Sequence, residues 1–180
     1  MVRIDTVVTR GGDQGETSLG DGNRVAKYAP RIELMGAVDE ANAALGLLII
    51  HLEGAHAAMV SRIQNDLFDL GADVCRAGLG GKRMTEAGLL RIEAEIETMN
   101  ETLPPLTSFI LPGGTIAGAH CHMARALVRR AERLAWLLAS LEPVNPVAIR
   151  TLNRLSDHLF VLGRVVNGNG AQDVLWVPGQ

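Results

Sequence analysis

The stretch MVSRIQNDLFDLGADV, residues 59–74, decides the fold class, because Met59, Ile63, Leu67, Leu70 and Val74 recur at spacings of 4, 4, 3 and 4. That period lays one apolar stripe along an α-helix and suits no strand, whose faces alternate every second residue. The signal continues upstream, where Val38, Ala41, Leu45, Leu48 and Leu52 follow Pro30 at i, i+3, i+7, i+10 and i+14, and Gly54 is expected to end that helix. Downstream, Gly78–Lys82 reads as a loop and Thr85-Glu86 as a helix start. Leu89, Ile92, Ile96 and Met99 form a third stripe, closed by Pro104-Pro105. A short apolar connection, FILPGG at 109–114, leads into a fourth helix from about Ile116 to Leu141, and a fifth runs from Pro146 to about Asn167. The expectation is an all-α, five-helix up-and-down bundle forming a single domain over residues 1–180. Residues 1–30 read as a Gly-rich loop with a short strand at Val7-Val8, and residues 168–180 as an irregular tail.

Composition agrees with helices. Aromatics make up 3% of the 180 residues, so a core drawn from the 47% hydrophobic content must be built from Ala, Leu, Val and Ile. Seventeen Lys+Arg against twenty Asp+Glu leave a net charge of −3, which argues against a basic nucleic-acid-binding domain. Cys75 and Cys121 are too few for a disulfide framework or a four-Cys zinc site. The apolar run from Ala43 to Ile50 is far short of the ~20 residues that a membrane span needs, and the first residues resemble no export signal, so a cytoplasmic location is expected.

Several residues exceed what a bundle requires. Arg125, Arg129, Glu132 and Trp136 fall at i, i+4, i+7 and i+11 on one helical face, and Arg130 and Arg133 add two more cations. A solvated face on which Arg129 pairs with Glu132 is one reading. A polyphosphate held by guanidinium forks is the other, since a single carboxylate cannot neutralise four cations. The loop from Thr9 to Ser18 carries Gly11, Gly12 and Gly15, which let backbone N–H groups converge on phosphate, with Thr9, Thr17 and Ser18 as hydroxyls and Lys27 downstream. It is not a Walker A loop, because Asp21 stands where that motif needs Lys. His120 and His122 lie about 200° apart around a helix and cannot share a metal. Asp66, Asp69 and Asp73 read as a solvated face, and Glu53-Gly54-Ala55-His56 is the one Glu-x-x-His, where a di-metal bundle would need two.

Six segments, TRGGDQGETSLGDG (9–22), RIELMGAVDEANAALG (31–46), IQNDLFDLGADV (63–74), FILPGG (109–114), HMARALVRRAER (122–133) and LNRLSDHLFVLGRVVN (152–167), together resemble the PduO-type ATP:cob(I)alamin adenosyltransferases, in that family's order and over nearly the whole chain. The resemblance implies a homotrimer with active sites between subunits. It implies transfer of the 5′-deoxyadenosyl group of ATP to the cobalt of cob(I)alamin, giving adenosylcobalamin and triphosphate. By motif, Thr9, Arg10, Gly11, Gly12, Asp13, Gly15, Thr17, Ser18 and Lys27 would hold ATP, with Mg²⁺ on its triphosphate. Arg129, Glu132 and Asn153 would lie against the nucleotide, and Asp39 would pair with Arg125 across the subunit boundary. Phe109 would lie under the corrin and, with Arg129 and Glu132, serve catalysis. A cob(II)alamin reductase and a B12-dependent enzyme are the further partners the resemblance implies. The loop departs from many members by having Gly11 where a Thr precedes the second Gly, which would replace a hydroxyl contact by backbone ones. The tail from Asp173 to Gly179 also looks familial, with no role assigned beyond packing near the cofactor.

Overall fold

The computed structural model describes residues 5–76 and 83–179, so the loop expected at Gly78–Lys82 lies outside the described residues. Five helices account for most of it: α1 Pro30–Ile49, α2 Gly54–Val74, α3 Glu86–Asn100, α4 Ile116–Ala139 and α5 Pro146–Val166. Their starts follow local chemistry. Pro30 and Pro146 occupy first turns, where a missing N–H costs nothing, while Thr115 and Asn145 cap α4 and α5 by accepting from the Gly118 and Val147 amides. Gly54 does not end α1. That helix stops at Ile49, and Gly54, at φ +54°, opens α2 in a backbone conformation that suits glycine.

The apolar stripes meet in one core, in which Leu34, Leu45, Leu48, Ile63, Leu67, Leu152, Leu155 and Leu159 are fully buried. The helices lie in the order α2–α1–α4–α5–α3. Ion pairs between α2 and α3 close the ring: Arg62 with Glu95 at 2.8 Å, and Asp66 with Arg91. Neighbours run antiparallel except α3 and α5, along which Arg150–Glu86, Arg154–Glu93 and His158–Glu95 pair in the same direction. The chain must therefore leave the C-terminus of α3, cross the C-terminal end of α5, and enter α4 on the far side. That crossing, residues 101–115, carries Phe109.

Two short hairpins complete the fold. β1 (Glu16–Ser18) pairs antiparallel with β2 (Arg24–Ala26), with Thr17 opposite Val25. The strand expected at Val7-Val8 does not form, and both residues are exposed. The tail is not irregular throughout either: β4 (Val174–Leu175) pairs antiparallel with β3 (Ile110–Leu111) in the crossing. Nor are the three aspartates a solvated face. Asp73 is buried and accepts from the Arg83 and Met84 amides and the Asn145 side chain, while Asp66 and Asp69 pair with Arg91 and Arg83.

Candidate active site

The glycine loop is anchored at the end of the bundle where α1 begins and α2 ends. Gly20 donates to the Cys75 carbonyl at 2.8 Å, and Leu19 is buried beside it. Arg10 turns at φ +55°, an uncommon conformation for a residue with a Cβ, and Gly15 follows at φ +79°. Arg24, which the sequence reading passed over, ties the loop together: its Nη2 donates to the Gly11 carbonyl at 2.7 Å and its Nη1 to Ser18 Oγ at 3.3 Å. Lys27 donates its backbone N–H to the Gly15 carbonyl and lays its ammonium over Gly12, where an added Cβ would stand 2.8 Å from Nζ. The Lys27 ammonium thus lies against the glycine turn, which brings a cation to the loop backbone. Thr9, Asp13 and Thr17 line the same segment.

On α4, one face behaves differently from its neighbours. Arg130 is absorbed by α1, pairing with Glu33 at 2.6 Å and with Glu40, and Arg133 donates to the Arg129 carbonyl. The expected Arg129–Glu132 ion pair does not form. Glu132 instead accepts from Asn153 Nδ2 on α5 at 2.9 Å, while Arg129 is exposed and has no ion pair among the described residues. Arg125 lies over the Phe160 ring at 5.5 Å. Burial and the nearby Arg129 charge both hold the Arg125 pKa below its ordinary value, with Asp157 acting the other way. This face has a surplus of positive charge. Burial, and Arg125 after it, likewise depress His122, which stands edge-on to Phe160. Arg125, Arg129, Glu132 and Asn153 are thereby gathered along one seam between α4 and α5. Asp39 is not among them: it is exposed on α1, beside an open depression with Asn42, Gln64 and Phe68.

Phe109 stands at the other end of the bundle, 79% exposed and edge-on to Trp176 with ring centroids 6.0 Å apart. The two rings border an open depression of about 460 Å³ with Leu106, Thr107 and Ser108. An exposed aromatic pair needs a rigid base, and the chain supplies one. The Trp176 backbone N–H donates to the Phe109 carbonyl at 2.8 Å, and Ser108 Oγ to the Trp176 carbonyl at 2.8 Å. Beneath them Asn167, fully buried at the end of α5, donates to the Gly113 carbonyl and to Asp173, and accepts from the Thr115 amide and hydroxyl. Asp173 also receives Arg164 at 2.9 Å in a buried ion pair. The sequence singles out the tail that holds Trp176 without a partner for that ring, and Asn167 only as a helix end; the signal available is the Asn-Gly-Asn-Gly run at 167–170, which does not say what it ties down.

Residues 7–166 match the family model described as Cobalamin adenosyltransferase. The chain is 42% identical to a corrinoid adenosyltransferase of Mycobacterium tuberculosis, across 99% of this chain and 96% of that protein, and 37% identical to the Bacillus subtilis corrinoid adenosyltransferase across 92% and 89%. Among solved structures, a variant PduO-type ATP:corrinoid adenosyltransferase from Lactobacillus reuteri complexed with cobalamin and ATP superposes with a TM-score of 0.88. It is 31% identical over 95% of this chain and 99% of that one. With this family match, these relatives and this shared five-helix bundle, the chain belongs to the cobalamin adenosyltransferase family.

Proposed function

We propose that this protein transfers the 5′-deoxyadenosyl group of ATP to the cobalt of cob(I)alamin, releasing triphosphate. The observation that carries the reading is Arg129, exposed and without an ion pair among the described residues, on the α4 face that also holds Glu132 and its Asn153 partner, in a chain whose glycine loop carries the Lys27 ammonium. The likeness to a structure complexed with cobalamin and ATP supports both ligands. Cob(I)alamin is itself the nucleophile. Its cobalt electron pair forms the Co–C bond at C5′, the C5′–O bond breaks, and its electrons leave with the triphosphate. No protein nucleophile is required, so the chain's work is positioning and charge stabilisation.

Arg129, Lys27 and the loop amides would neutralise charge developing on the leaving triphosphate. Glu132, oriented by Asn153, would hold the ribose side of the nucleotide. Mg²⁺ prefers oxygen donors and keeps several waters, so it would ride on the triphosphate, steadied by Asp13 and the loop hydroxyls. There it supplies further charge neutralisation. Phe109 would press on the lower face of the corrin, exclude an axial ligand, and ease reduction of Co(II) by a separate cob(II)alamin reductase.

The active site would be shared between copies of the chain. The glycine loop is anchored at one end of the bundle and Phe109 at the other, separated by the 21-residue α5, roughly 30 Å at 1.5 Å per residue. No hydrogen bond or ion pair among the described residues joins residues 9–18 to α4 or α5. A homotrimer, in which the loop of one subunit covers the seam of the next and Asp39 meets Arg125, resolves the separation and covers the exposed Phe68. Within the single domain, residues 1–30 would act as the nucleotide loop, and the tail strand with Asp173 and Trp176 as the support of Phe109. Incubation with ATP, Mg²⁺ and anaerobically reduced cobalamin should yield the light-sensitive adenosylated product. A protein that binds both ligands yet forms no product would be a carrier and would refute the reading.

A further inference from the structure

Beside the Phe109 depression lies a second hollow of about 270 Å³, walled by Pro105, Leu106, Ala171 and Leu175 and floored by the buried Arg164–Asp173 pair. The two share Leu106 and Thr107, so they adjoin across the crossing segment. The floor of the second is rigid: Arg164 Nη2 donates to the Pro104 carbonyl at 2.9 Å, and Gly170 donates to the Arg164 carbonyl at 2.9 Å. Gly170, at φ +87°, leaves open the space that a Cβ would take from the guanidinium 3.1 Å away. A hollow with both polar and apolar walls, whose charged floor is already paired, suits a flat heteroaromatic group better than a free ion, and its size approaches the ~300 Å³ of the smallest ligand clefts.

Resting on the function proposed above, we infer that this second hollow receives the displaced lower base of cobalamin. If Phe109 occupies the lower face of the corrin, the benzimidazole that coordinates cobalt in free cob(II)alamin must leave it. The base stays tethered to the corrin rim by its phosphoribosyl arm, so it can travel only a short way on the Phe109 side. Left in water it would return to the metal. Buried against Leu106, Ala171 and Leu175, it would bias the equilibrium toward the base-off form, because a ligand contact made in one state alone shifts the population to that state. Phe109 would thus evict the base, and the tail hollow would retain it.

The test compares cobalamin with cobinamide, which has the same corrin and lacks the base. Ala171→Phe fills the hollow from an exposed turn position outside the proposed catalytic set, and Ala171→Leu fills less of it. With ATP bound, Ala171→Phe should weaken cob(II)alamin binding about tenfold and lower the base-off fraction seen by absorbance and electron paramagnetic resonance, with Ala171→Leu intermediate. Cob(II)inamide affinity and cob(I)inamide turnover should stay within about twofold of wild type. Equal losses with both corrinoids, or no change with either, would overturn the assignment. Failure of the wild-type protein to adenosylate either corrinoid would instead refute the adenosyl-transfer reading on which it rests.

Discussion

At the scale of single residues, the question is which cations are available. Arg129 and Arg130 are adjacent and chemically identical in the sequence, yet Arg130 is held by Glu33 and Glu40 from α1, some ninety residues away in the chain, while Arg129 is left exposed. The spacing of Arg125, Arg129 and Glu132 made the face legible; the long-range carboxylates that sort its members were not. Replacing Arg129 by Ala should lower kcat by about 10²–10³ with little change in melting temperature, the usual effect of removing one donor to a developing anion. Steady-state kinetics beside a thermal melt checks this, and a change in KM alone would reduce Arg129 to ground-state binding. If Phe109 lies against the axial position as proposed, Phe109→Ala should impair adenosylation of cob(II)alamin plus a reductant far more than that of supplied cob(I)alamin. Its exposure also means that the loss would not be one of folding.

At the scale of elements, the helices were readable because each shows a stripe of period 3.6, and α4 and α5 lie within two residues of their expected ends. The hairpins were not readable, because strands of two or three residues contain no full period. What fixes β3 against β4 is the Asn167 hub, whose partners come from 54 residues before it and 6 after. Gly118→Ala tests that hub by sign. Alanine in a helix ordinarily stabilises by roughly 0.5–1 kcal/mol over glycine. Here its Cβ would stand 2.2 Å from Asn167 Oδ1, so a loss of about 1–3 kcal/mol is expected in denaturant unfolding. The α2–α3–α5 seam has its own signature in acid. Burial raises the Glu95 pKa, but hydrogen bonds from His158 and Arg62 outweigh it and hold the carboxyl below 4.5. Its stabilisation is therefore present above about pH 4.5 and lost as pH falls through the lower folded value. Glu95→Gln should flatten the decline of melting temperature on that acid limb, although Asp66, raised by burial, titrates in the opposite sense.

At the scale of the molecule, the linear order of motifs conceals how far apart they lie, at the two ends of the bundle. The path is antiparallel except where α3 and α5 run together, so one crossing had to pass over the end of α5, and it places Phe109 there, far from the glycine loop. Sequence alone supplied the motifs but not this separation, because nothing local in residues 101–115 says which helix end they cross. If the site joins the loop of one subunit to the α4–α5 seam of another, two crippled chains should rescue each other. Lys27→Ala damages only loops, and Arg129→Ala only seams. The two proteins, each inactive alone, should be unfolded together in equal amounts, refolded, and assayed for adenosylcobalamin. Random assembly pairs an intact loop with an intact seam in about one quarter of sites, so about a quarter of wild-type activity should return. No recovery, from a mixture that has reassembled as the wild-type oligomer, would contradict a shared site.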